Sequence, residues 1–195
     1  MYEKKFNHKI CFNYDPEDFL KKSETQRLLD INETPNKFVK ELEKRKDKIK
    51  EYLESGRDGY AKCNIGGIRG SVGTHSDPTA DIAIDRSYYE KIVSDEITFT
   101  ELIGVDENDE DMPHALKAFL VLKRSLLIYD KMIDLYPNDK ITELLRLRLK
   151  GVKVDPSCEE LEISKTTYFG YLAKSREQVD SRIKEILELY GFETK

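Results

Sequence analysis

Polar side chains that can donate to an anionic partner cluster at the start of a long predicted helix. Ser164 is a good N-cap, because its hydroxyl can accept a hydrogen bond from a first-turn amide. Lys165 and Thr166 come next, and such side chains donate to phosphate oxygens or to base edges. The candidate contact residues, all on this helix or at its cap, are Ser164, Lys165, Thr166, Thr167, Phe169, Lys174 and Arg176.

These residues need a scaffold that presents the start of the helix. Residues 140–150 are predicted to form a helix that Gly151 ends, and a short helical turn follows. Leu161, Ile163 and either Tyr168 or Leu172 can pack the turn against the next helix. This order predicts a helix-turn-helix, in which the start of the second helix can enter the DNA major groove.

The remaining pattern predicts an all-α, helical protein with a long final helix over residues 164–190. Asp15-Pro16 should open a helix that reaches about residue 29. We also expect helices at 36–53, from about 79 to 93, and from Pro113 to about 136. The predicted organisation is a helical region (1–54), a Gly-rich linker (55–78), a helix with an acidic loop (79–111) and a helix-turn-helix domain (112–195).

Charge is unevenly distributed along the chain, whose net charge is −5. Residues 94–111 hold eight acidic side chains and no basic one, whereas residues 138–176 hold eight Lys/Arg against six Asp/Glu, a balance of +2. That balance permits phosphate contacts without requiring them. The sequence shows neither a secretory signal nor an apolar run of the roughly 20 residues that span a bilayer, so we predict a cytoplasmic protein with no membrane partner.

Other chemistries have weaker support. Residues 65–74 are glycine-rich, but they lack the Lys-Ser/Thr ending of a nucleotide-binding loop. A linker is the simpler interpretation. A contact of Arg69 with the DNA backbone is a further hypothesis. Residues 106–111 are acidic, but Asp111 and Lys117 stand where a calcium loop needs Gly and Glu. We interpret that segment as a solvated loop, or as an acidic surface that contacts a basic partner.

The cysteines and histidines show no ligand spacing, and no nucleophile lies in a recognisable catalytic grouping. These scattered residues are Cys11, Cys63, Cys158, His8, His75 and His114. We therefore predict no metal, no cofactor, no catalytic residues and no enzymatic activity.

The segment from about residue 115 to 190 resembles the C-terminal part of phage late-transcription regulators of the RinA/ArpU type, which are similar to region 4 of sigma-70 factors. Residues 144–151 stand in place of that family's "L-x-x-R-Y-x-x-G" pattern, and residues 161–169 stand in place of its "L-G-x-S-x-x-T-v-y" pattern. The chain departs from the family at residues 152–158, where the family usually has a Trp and an Ile. The resemblance implies a sigma-region-4-like helix-turn-helix.

The leading hypothesis is a sequence-specific DNA-binding transcription regulator that activates phage or prophage late genes. Its expected partners are double-stranded DNA, RNA polymerase and a second copy of the chain. An alternative is a DNA-packaging adaptor similar to a small terminase subunit, and another is a helical interaction protein that binds no DNA.

Overall fold

The computed structural model describes residues 14–55, 89–109, 112 and 114–192, and these residues form helices and no strand, which confirms the all-α prediction. Residues 89–93 are helical. The other described helices are α1 (Pro16–Lys21), α2 (Glu24–Glu33), α3 (Pro35–Ser55), α4 (Phe99–Ile103), α5 (His114–Ile133), α6 (Asp139–Lys150), α7 (Val154–Glu160) and α8 (Lys165–Leu189).

The single helix predicted from Asp15 to about residue 29 is wrong, because α1 ends at Lys21 and α2 begins at Glu24. Ser23 interrupts the helix with a reciprocal capping box: Gln26 N donates to Ser23 Oγ over 3.4 Å, and Ser23 N donates to Gln26 Oε1 over 3.2 Å. A serine three residues before a glutamine is the typical sequence signal for such a start.

Helix α4 was also missed, since we predicted an acidic loop there. Thr98 caps it by accepting from Glu101 N over 3.2 Å, while Glu101 Oε2 accepts from Thr98 N over 2.8 Å. Leu102 is fully buried at its centre, so this turn of helix serves packing despite the acidic composition around it.

Helix α5 is the centre of the fold, and most of its side chains are buried. It contacts α1, α2, α3, α4, α6 and α8. One continuous apolar core contains Phe19, Leu28 and Phe38 from the N-terminal helices together with Leu144 and Ile183 from the C-terminal ones. The N-terminal helices and the predicted helix-turn-helix therefore share a hydrophobic core.

The buried side chains of Glu24, Arg27 and Arg124 and the half-buried side chain of Glu107 form a group that we call the Arg–Glu cluster. Glu107 accepts from Arg27 over 2.8 and 2.6 Å, one hydrogen bond to each carboxylate oxygen, and also from Arg124. Glu24 Oε2 accepts from Arg27 over 3.0 Å and from Arg124 over 2.8 Å. Two arginines and two carboxylates neutralise each other, which is the condition for burying charge inside a protein.

This pairing corrects our interpretation of residues 106–111 as a solvated loop at one position, Glu107, whereas Asp106 and Asn108 are exposed. The Glu107 side chain is 31% exposed, and it joins the acidic segment to α2 and α5. The basic groups that Glu107 meets are Arg27 and Arg124 of the same chain.

Several predictions lie outside the described residues. These are the Gly-rich linker beyond Ser55, including Arg69, the start of the helix expected at about 79–93, and the side chains of Cys11, Cys63, His8 and His75. Among the described helices, none combines the length and apolar character that crossing a bilayer requires.

Gly151 ends α6 in the left-handed conformation, with φ of 80°. A Cβ atom built there would lie 2.2 Å from Asn36 Nδ2. Gly151→Ala is therefore expected to lower the free energy of unfolding by about 2 kcal/mol or more, since left-handed strain alone costs roughly 1–2 kcal/mol.

Gly170 is the matched control for that substitution. It lies inside α8, and a Cβ atom built there would meet no atom within 4 Å. Gly170→Ala should raise the free energy of unfolding by about 1 kcal/mol. Urea denaturation of both variants measures the difference, and equal effects would show that the environment of Gly151 does not restrict it.

Candidate nucleic-acid interface

Helix α7, a tight turn and helix α8 follow one another at the residues where the sequence predicts a helix-turn-helix. Ile163 N donates to Cys158 O over 3.0 Å, and Glu162 N donates to Glu159 O over 3.2 Å. These two bonds satisfy carbonyls at the end of α7 in the manner of a Schellman motif. The family departure at residues 152–158 does not prevent α7 from forming.

Glu162 occupies the turn position where glycine is favoured, because its φ is 53°. A side chain in this region costs roughly 1–2 kcal/mol relative to glycine. Glu162→Gly is expected to raise the free energy of unfolding by about 1 kcal/mol, measured by urea denaturation.

Glu162→Gln separates the backbone effect from the charge effect at this position. The glutamine variant keeps the Cβ atom and its strain, so its stability should match that of the wild type. Stabilisation of equal size in both variants would assign the effect to charge repulsion instead.

Four apolar side chains pack α8 against the turn, and they include both Tyr168 and Leu172, of which we expected only one. Leu161 and Tyr168 are buried, and Ile163 and Leu172 are half-buried. Lys140 Nζ donates to Leu161 O over 3.2 Å, which ties the start of α6 to the turn. The position of the turn is therefore set by the same core that holds the rest of the fold.

Tyr136 anchors α8 further along, where its hydroxyl donates to Ser175 O over 3.1 Å. Burial raises the pKa of Tyr136 to about 12, so the hydroxyl stays protonated at neutral pH. Beyond this point α8 enters the core through Val179, Ile183 and Ile186. The opposite side of α8 stays exposed along its length, from the first turns to Leu189.

The start of α8 presents most of the predicted contact residues to solvent. Ser164 caps the helix by accepting from Thr167 N over 3.1 Å. Lys165, Thr166 and Phe169 are exposed. Thr167 differs from its neighbours, because it is half-buried and its hydroxyl lies 2.9 Å from Ser164 Oγ.

Lys174 and Arg176, predicted further along, are also exposed, and neither forms an ion pair with another described residue. Sequence reasoning missed Gly170 and Ala173 as parts of this face. Their spacing of four and seven residues from Thr166 was the available signal, since residues at these intervals share one side of a helix.

Asp155 changes the charge of this surface, and we did not foresee its position. Its Oδ1 lies 2.7 Å from Lys165 Nζ, and both side chains are 65% exposed. The hydrogen bond from Lys165 to Asp155 and their opposite charges raise the pKa of Lys165. Lys165 therefore keeps its charge at neutral pH, but a carboxylate of α7 already neutralises it.

Further acids surround the site. Glu159 and Glu160 at the end of α7 and Glu162 in the turn are exposed, as is Asp155. Phosphates approaching the start of α8 would meet these four carboxylates, and repulsion offsets part of the attraction of Lys165, Lys174 and Arg176.

Within the part of the chain that the structure describes, no three His, Cys, Asp or Glu side chains come together in a way that could hold a metal ion. The resemblance to the RinA/ArpU type stays a prediction that depends on the sequence motifs and on the helix-turn-helix. Comparisons of the chain with protein-family models, curated proteins and solved structures found no match.

Proposed function

We propose that this protein binds double-stranded DNA through the start of α8, as a sequence-specific transcription regulator. The observation that carries the proposal is the α7–turn–α8 unit, in which a capped helix projects Lys165, Thr166 and Phe169 into solvent. In helix-turn-helix proteins the N-terminal residues of the second helix contact base edges. Lys174 and Arg176 lie further along α8 and are suited to phosphates.

The charges of the site imply modest affinity for DNA. Asp155 pairs with Lys165, and three more acids lie in α7 and the turn. Stable binding is therefore proposed to need a second copy of the chain or RNA polymerase, because each adds contacts without changing this surface.

The sequence resemblance supports a biological setting for this activity. Regulators of the RinA/ArpU type activate phage late genes, and the motifs at residues 144–151 and 161–169 fall on α6, the turn and the start of α8. We propose that the protein activates phage or prophage late genes together with host RNA polymerase, in the cytoplasm.

Selection of bound fragments from random and host DNA, at two salt concentrations, tests the proposed function. Enrichment of a shared sequence that weakens as salt rises is expected, because phosphate contacts release counterions. A selection that enriches no sequence at either salt concentration would overturn the proposal.

The exposed acids of α7 and the turn favour a second candidate, a helical interaction protein that binds a basic partner instead of DNA, while a phage DNA-packaging adaptor stays the other alternative. A reporter gene fused to the selected DNA separates these functions, since only a regulator changes its transcription. Ring-shaped assemblies in solution would favour the packaging adaptor.

A further inference from the structure

Phe169 is unusual because a large apolar side chain is exposed on a well-formed helix. Among the described residues, the large apolar side chains that are exposed are Phe169, at 55%, and Leu189, at 68%. Leu189 is the last residue of α8, where a helix end has few neighbours. Phe169 lies in the second turn, on the face proposed to meet DNA.

The ring of Phe169 has little protein around it. It contacts the ring of the buried Tyr168, whose centroid lies 5.4 Å away in an edge-on arrangement. Three of the neighbouring exposed positions on α8 carry small side chains, namely Thr166, Gly170 and Ala173, and the fourth, Lys165, is paired with Asp155. The outer part of the ring is therefore open to a partner that approaches this side of the helix.

The Phe169 side chain consists of carbon and hydrogen alone. It has no hydrogen-bonding atom, so in a DNA groove it can discriminate between bases only through apolar contact. In the major groove the C5-methyl group of thymine is the apolar group on a base edge, and cytosine lacks it.

We propose that Phe169 is a specificity residue that contacts the methyl group of one thymine in each bound site. This inference depends on the proposed function, because it requires that the start of α8 enters the major groove. Lys165 and Thr166, one turn earlier, would hold the adjacent phosphate or base edge while Phe169 contacts the methyl group.

Replacing thymines of the selected site one at a time by deoxyuridine tests the proposal, since this change removes only the methyl group. One substitution is expected to weaken wild-type binding about fourfold, which corresponds to one buried carbon. Phe169→Ala should bind the thymine and deoxyuridine duplexes equally. Leu189→Ala, the matched control at the other exposed apolar residue, should discriminate as the wild type does.

The outcomes separate this inference from the proposed function. Absence of binding to any DNA would overturn both. Binding that no deoxyuridine substitution weakens would overturn thymine recognition alone, and discrimination that persists in Phe169→Ala would overturn the role of Phe169. Because the ring is largely exposed, unfolding temperatures of Phe169→Ala and the wild type should agree, which checks that the variant is folded.

Discussion

Replacing Glu24 by leucine is expected to lower the free energy of unfolding by about 3–5 kcal/mol, because the change breaks the Arg–Glu cluster on one side only. Glu24 is 8% exposed, and its carboxylate accepts from both Arg27 and Arg124. Without it, two buried guanidinium groups would share the single carboxylate of Glu107. Urea denaturation followed by circular dichroism measures the loss.

Combining Glu24→Leu with Arg124→Met should restore most of that stability. The double variant removes one charge of each sign, and the leucine and methionine that replace Glu24 and Arg124 are apolar and similar in size to them. Arg27 and Glu107 would keep their two parallel hydrogen bonds. If the double variant is destabilised by the sum of the two single effects, the residues do not act as one cluster.

Glu107 also makes the stability of the cluster depend on pH. Burial by itself raises the pKa of Glu107, but the hydrogen bonds and charges of Arg27 and Arg124 outweigh it and hold this pKa below its ordinary value of 4.5. The folded state therefore favours the ionised form. Its contribution is present above the ordinary pKa and declines as the pH falls through the folded-state pKa. Glu107→Gln should show a weaker loss of stability in this acidic range.

The burial of Arg27 and Arg124 could not be predicted from the sequence. Arg124 meets Glu24 across 100 positions of the chain, and Arg27 meets Glu107 across 80. The periodicity of apolar residues indicates which side of a helix is apolar. Whether an arginine on that side is buried depends on a carboxylate that lies far away in the sequence. Helix ends were predicted well where one residue determines them, as Gly151 and Ser164 do.

The candidate site was likewise only partly predictable from the sequence. The exposure of Lys165, Thr166 and Phe169 could be predicted from the sequence. The helical spacing that places Tyr168 on the buried side of α8 places these three residues on the exposed side. The pairing of Lys165 with Asp155 did not follow, because it needs the angle between α7 and α8, which the turn conformation at Glu162 sets.

Replacing both Lys165 and Lys174 by alanine is expected to weaken binding to the selected DNA about tenfold to a hundredfold, since two solvent-exposed contacts to phosphate are lost. The slope of log affinity against log salt should become shallower by about 1.8, because each lost phosphate contact removes about 0.9. Fluorescence anisotropy over a salt series measures both. The control is the double variant Lys44→Ala with Lys184→Ala, which removes the same total charge away from the proposed interface. The side chains of Lys44 and Lys184 are 64% and 68% exposed, and their loss should change binding little.

Asp155→Asn gives the opposite expectation at the same site. The ion pair over 2.7 Å competes with phosphate for Lys165, so removing the carboxylate charge should tighten binding about threefold and steepen the salt dependence. In a Lys165→Ala background this substitution should have a much smaller effect, because the lysine that it releases is gone. Equal tightening in both backgrounds would show that Asp155 acts through general repulsion. Weaker binding in Asp155→Asn would mean that Asp155 holds Lys165 in position for DNA, and that the acids around α8 are part of the interface.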